Sequence, residues 1–176
     1  MKGNHEYVRW AIKCIESYIR DHKILDPIRD GAPADLLQRR AGAFVSLHKL
    51  DGSLRGCIGT YLPTRKNLAE EIMYNAIAAA TEDPRFEPVR EEELDEIEVS
   101  VDILSEPWQV TFEQYMNLDP KKYGVIVMSG FRRGLLLPDL PGVETPDQQL
   151  KIALRKAGIS PYEKFSIYVF TVERYH

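Results

Sequence analysis

Cys57 is the residue in this chain best equipped for covalent chemistry. It lies in Leu54–Thr60, which reads Leu-Arg-Gly-Cys-Ile-Gly-Thr. A cysteine attacks through its thiolate, which neighbouring cations or a helix N-terminus must stabilise. The preceding run, Ala43–Lys49, alternates in side-chain type as a strand does, and Asp51-Gly52 between the two runs is a strong hairpin signal. A two-residue turn there sets His48 opposite Arg55 and Ser46 opposite Cys57. Ser46, His48, Arg55 and Cys57 then share one face, and Val45, Leu47, Leu54 and Ile58 the other. On the first face Arg55 is expected to steady the thiolate or fork a bound carboxylate or phosphate. His48, whose free pKa lies near neutrality, is a candidate proton carrier. The plainer alternative is packing: Cys57 fills a tight space between Gly56 and Gly59, and Arg55 pairs with an acid on a neighbouring strand. The residues alone leave both open.

Two further charged candidates, Asp83 and Arg85, flank Pro84 just beyond a helix end. A local pairing that fixes the loop is the first expectation for them, with binding as the second. Gly56 and Gly59 are poor strand residues, so a bulge or a close approach of another group is expected there. The other cysteine, Cys14, falls on the apolar stripe of a helix and is expected to be core. No CxxC pair, closely spaced histidine pair, glycine-rich phosphate loop, dinucleotide fingerprint or Ser-His-Asp pattern occurs. No metal site and no cofactor are therefore expected.

The Leu54–Thr60 run resembles the signature of the AMMECR domain family. Ala78-Ala79-Ala80 followed by Asp83-Pro84-Arg85-Phe86 is similar to its second signature, and Glu98–Val101 and Gly134–Pro138 to later blocks. The resemblance implies one domain over residues 1–176, with an α+β fold in two unequal lobes and a cleft near the Leu54–Thr60 hairpin. It also implies Memo-like and radical-SAM proteins as partners, and it points to a fold and a site more than to a reaction. One departure stands out: Asp139–Thr145 carries no tryptophan ahead of Asp147, so ligand contacts made by that loop in relatives do not transfer.

The elements that must position these residues follow from periodicity. Tyr7 to about His22 reads as an amphipathic helix, and 26–42 as a loop with one short helical turn near Asp35–Arg39. A second helix is expected after a Thr64 N-cap, buried along Leu68, Ile72, Ala76 and Ala79 and stopped by Pro84. The acidic 90–98 stretch reads as a partly helical, solvated segment. Ile97, Val99, Val101 and Ile103 alternate with Glu98, Ser100 and Asp102, a half-buried strand whose acids are expected in solvent. Thr145-Pro146-Asp147-Gln148 is a helix start with a capping box. Phe165–Val172 is expected to be one interior strand. Hairpin-joined strands with packed helices make a mainly antiparallel α+β domain.

The composition narrows the function classes. With 176 residues, 44% hydrophobic and 28% charged, the chain can bury a real core. A net charge of -4 argues against a nucleic-acid protein held by phosphate contacts. No apolar run suits a membrane span, and two cysteines with no signal-peptide pattern suit the cytoplasm. The favoured reading is a cytoplasmic enzyme, or enzyme component, working on a small molecule or modified partner at Cys57. The alternative is a non-catalytic adaptor that docks a Memo-like or radical-SAM partner, with Cys57 structural.

Overall fold

Alternation along two strands builds the first sheet. In the computed structural model, which describes residues 1–176, β1 (Ala43–Lys49) pairs antiparallel with β2 (Leu54–Thr60) and with β3 (Ile97–Leu104). With β8 (Val172–Tyr175) the order is β2-β1-β3-β8. Val45, Leu47, Val99 and Val101 are buried on one face. Helix α3 (Leu68–Thr81) packs on β1 and β2, and α1 (Glu6–Asp21) packs on α3 and β3. Burying each large aliphatic side chain there is worth about 1.5–3 kcal/mol. Cys14 is among these core residues, and burial pushes its thiol well up. Short α2 (Ala34–Gln38) and the 3-10 helix Glu91–Glu96 complete this unit, which comprises Met1–Leu104 and Glu173–His176.

A smaller unit, Ser105–Val172, has its own sheet and core. β4 (Trp108–Val110), β7 (Ser166–Phe170), β5 (Gly124–Ser129) and β6 (Arg132–Leu136) lie in that order, all antiparallel. Helix α5 (Pro146–Ala157) packs on β5 and β6, and short α4 (Phe112–Met116) on α5 and β7. The Thr145–Gln148 capping box forms as expected, and Gly158 closes α5 at φ 64. The fold class is α+β, with antiparallel sheets and packed helices.

Three expectations are corrected. Helix α3 starts at Leu68, not after Thr64, because Asn67 Oδ1 accepts the Glu70 N–H at 2.9 Å while Thr64 is engaged by Glu71. Residues 165–172 are not one strand. Thr171, whose carbonyl accepts the Ser105 N–H and whose N–H donates to Ser105 Oγ, separates β7 from β8, and the two strands enter different sheets. Asp102 is buried, not solvated: Arg174 forks it at 2.7 and 3.0 Å.

Candidate functional site

The central hairpin forms, with a different turn. The Gly52 N–H donates to Lys49 O and the Lys49 N–H to Ser53 O, both at 2.8 Å, which closes a three-residue loop, Leu50–Gly52. Gly52 takes φ +82, the left-handed conformation this loop needs. A bulge between Leu47 and His48 then shifts the register back by one. The extra loop residue and the bulge cancel, so Ser46 stands opposite Cys57 as expected. His48, by contrast, stands opposite Leu54, and Arg55 is the bulged residue with no partner across the strand pair. The expected His48–Arg55 pairing is therefore corrected. His48 makes no hydrogen bond to Cys57.

Close approaches explain the glycines of this motif. A Cβ on Gly56 would lie 2.1 Å from the carbonyl oxygen of Ala79 on α3, and one on Gly59 would sit 2.2 Å from the Phe44 ring. Ala79 thus meets β2 at a residue with no side chain, and α3 lies directly against the strand there.

Cys57 sits where this packing ends. Its N–H points away from β1 and donates to Asp83 Oδ2 at 2.9 Å, so Ser46–Cys57 is a non-hydrogen-bonded pair with closely spaced side chains. The Ser46 hydroxyl accordingly donates to Cys57 Sγ at 3.2 Å. That contact and the Arg85 charge favour a thiolate, but burial outweighs them, and Asp102 and Asp83 add to it. The thiol is pushed up from its ordinary value, opposite to what nucleophile activation needs. No proton acceptor is hydrogen-bonded to it.

Asp83 is the centre of the constellation. Its buried carboxylate accepts the Cys57 N–H, the Arg85 N–H at 3.1 Å, and the Arg85 fork through Nε at 2.9 Å and Nη2 at 2.6 Å. Hydrogen bonding from Arg85 holds its carboxyl well below the usual carboxylate range, against the opposing pull of burial. Arg85 Nη2 also reaches Cys57 O at 3.5 Å, so one side-chain pair covers both outward backbone groups of Cys57 on the edge strand β2. This blunts the edge against strand addition. The Arg85 guanidinium is half exposed and its Nη1 takes no hydrogen bond.

The AMMECR1 family profile matches residues 8–175, nearly the whole chain. The chain belongs to the AMMECR1 family. A Thermotoga maritima protein is 61% identical over 176 residues, covering 99% of each chain. A Clostridium acetobutylicum protein, CA_C1420, is 47% identical over 169 residues, and the match covers 96% of this chain but only 35% of that protein. The crystal structure of the uncharacterized protein PH0010 from Pyrococcus horikoshii is similar at a TM-score of 0.87 and 34% identity, covering 96% of this chain and 88% of that one.

Within the AMMECR1 signature, Arg55 is engaged elsewhere than at the thiol. It forks Glu93 through Nε at 2.9 Å and Nη2 at 3.0 Å, and Nη1 donates to Glu87 O at 3.0 Å. Glu93 in turn accepts the Arg90 N–H, so the pair ties β2 to the start of the 3-10 helix. Arg55→Met, which keeps the apolar stem, is therefore expected to lower stability by about 3 kcal/mol, the low end for breaking a buried pair, since Glu93 keeps some solvent. Urea unfolding with an unchanged m-value checks this. A fully stable variant contradicts the structural role.

Periodicity also missed Glu71. Its buried carboxylate accepts the Thr60 and Thr64 hydroxyls and the Thr64 and Arg65 N–H groups, at 2.6–2.8 Å. The signal is present in the sequence. Glu71 and Asn75 lie four apart on the buried side of α3, and a polar pair there must bond to something nearby. Asn75 donates to Ala43 O at 2.9 Å and to Thr60 Oγ1 at 3.2 Å.

Proposed function

We propose that this AMMECR1-family chain is a binding component, recognising an anionic group on a partner or ligand at the patch formed by Arg85 beside Cys57. The observation that carries the reading is the Asp83 fork, which fixes the Arg85 guanidinium while leaving Nη1 free and half the side chain in solvent. A pre-oriented arginine loses little freedom on binding and suits carboxylate or phosphate. The Cys57 nucleophile reading comes second, because burial keeps the thiol neutral and Ser46 donates to the sulfur instead of accepting a proton from it. The Memo-like and radical-SAM proteins implied by the family resemblance are the partners to test, in a cytoplasmic setting suited to two free thiols. No helix is long and apolar enough to cross a membrane.

The experiment is biolayer interferometry of the purified chain against a Memo-like and a radical-SAM protein from one organism. Arg85→Gln is expected to weaken capture about tenfold while the chain stays folded at 25 °C, and Cys57→Ser to leave it unchanged. Capture that ignores Arg85→Gln, or that disappears with Cys57→Ser, rejects the reading.

A further inference from the structure

A cavity in the larger unit, apart from the Cys57 patch, is lined by three cations that have no acidic partner. It holds about 640 Å³ between the 23–30 loop, Arg65-Lys66 and the first half of α3. That volume suits a small organic molecule, not a macromolecular chain. Lys23, Arg65 and Lys66 line it, and none of the three forms an ion pair. Asp26, Asp30 and Glu70 also line it, but their carboxylates are occupied by their own segments. Asp26 accepts the Ile28 and Arg29 N–H groups and pairs with Arg29, Asp30 accepts the Asp26 N–H, and Glu70 the Lys66 N–H. With Arg29 paired to Asp26, the lining keeps three cations, Lys23, Arg65 and Lys66, against two acids, Asp30 and Glu70, whose carboxylates are turned to backbone N–H groups of their own segments.

The arginine of this set is positioned rather than loose. Its guanidinium stacks 3.8 Å over the Tyr74 ring, which leaves the planar donor edge open. Its backbone is fixed from below by buried Glu71, which accepts the Arg65 N–H at 2.8 Å, and its carbonyl accepts from Arg40 Nε at 3.3 Å. Leu25, Met73 and the half-exposed Ile24 supply an apolar wall. A fork-shaped cation, two lysines and an apolar wall match a phosphate ester with an organic part.

We infer that the Lys23–Arg65–Lys66 cavity binds a small phosphorylated organic molecule, with Arg65 forking the phosphate. Isothermal titration at low salt uses AMP as the probe, with inorganic phosphate and adenosine beside it. AMP is expected to bind more tightly than phosphate, adenosine not at all, and added salt to weaken AMP. Arg65→Gln, an exposed change that leaves the melting temperature in place, is expected to cost about tenfold in AMP affinity. Arg132→Gln, in the other unit, is expected to cost nothing. Failure of AMP to bind, adenosine binding as well as AMP, or unchanged affinity in Arg65→Gln overturns the inference. Because Arg85 lies outside this cavity, Arg85→Gln should leave AMP binding intact, which separates failure here from failure of the proposed function.

Discussion

Asp83→Ala is expected to lower the stability of the chain by about 2–4 kcal/mol, on the order of 10 °C in melting temperature for a chain of this size. The substitution strands the Cys57 and Arg85 N–H groups, both now satisfied by the carboxylate, and releases the Arg85 fork. The pH dependence follows from the direction of the Asp83 shift. Because the folded-state value is depressed, its stabilisation is complete above the unfolded value of about 4 and is lost as pH falls toward the folded value. The gap between wild type and Asp83→Ala should therefore be widest near neutrality and close progressively below about pH 4. Denaturant curves from pH 7 to pH 2 check this. A gap that is small at pH 7, or that grows in acid, contradicts the role given to Asp83.

Gly56→Ala should be nearly as damaging, by a different mechanism. The new Cβ meets the backbone oxygen of Ala79 at 2.1 Å, and neither the strand nor the helix can yield as a flexible side chain would. Overpacking of this kind costs about 3 kcal/mol or more. The smaller unit repeats the arrangement: a Cβ on Gly134 would lie 2.1 Å from Ala153 O on α5, so Gly134→Ala is expected to cost a similar amount. Gly52 is the control. Nothing lies within 4 Å of its Cβ position, and only its left-handed φ of +82 opposes alanine, for about 1 kcal/mol. Melting curves on the three variants should place Gly56 and Gly134 together and Gly52 well above them. Equal, mild losses at all three contradict the close strand–helix approach.

What the sequence makes legible is local. The hairpin, the Ser46–Cys57 pairing, the α5 capping box and the close approach at Gly56 all rest on spacing, and each is present. The Ser46–Cys57 pairing survives a wrong turn only because the longer loop and the bulge offset one another. What stays hidden is the identity of long-range partners. Arg55 meets Glu93 across 38 residues and Asp102 meets Arg174 across 72, and no periodicity connects either pair. An acid on the polar face of a strand reads as solvated until its arginine is placed. The cavity lined by Lys23, Arg65 and Lys66 is hidden for the same reason, since its cations come from segments about 40 residues apart. The thiol shows the deeper difficulty. An arginine and a histidine near a cysteine in sequence predict activation, yet burial of the sulfur decides the sign, and burial is a property of the packed structure.

The central claim is that Cys57 is a neutral thiol within a recognition patch, not an activated nucleophile. Its most direct test is the rate of iodoacetamide alkylation at Cys57 between pH 6 and pH 10, read site by site by mass spectrometry on the folded chain. The structure predicts slow labelling at neutral pH, with a midpoint above the free-cysteine value of about 8.5. A midpoint below about 7.5, with fast labelling at pH 7, contradicts it and restores Cys57 as the nucleophile.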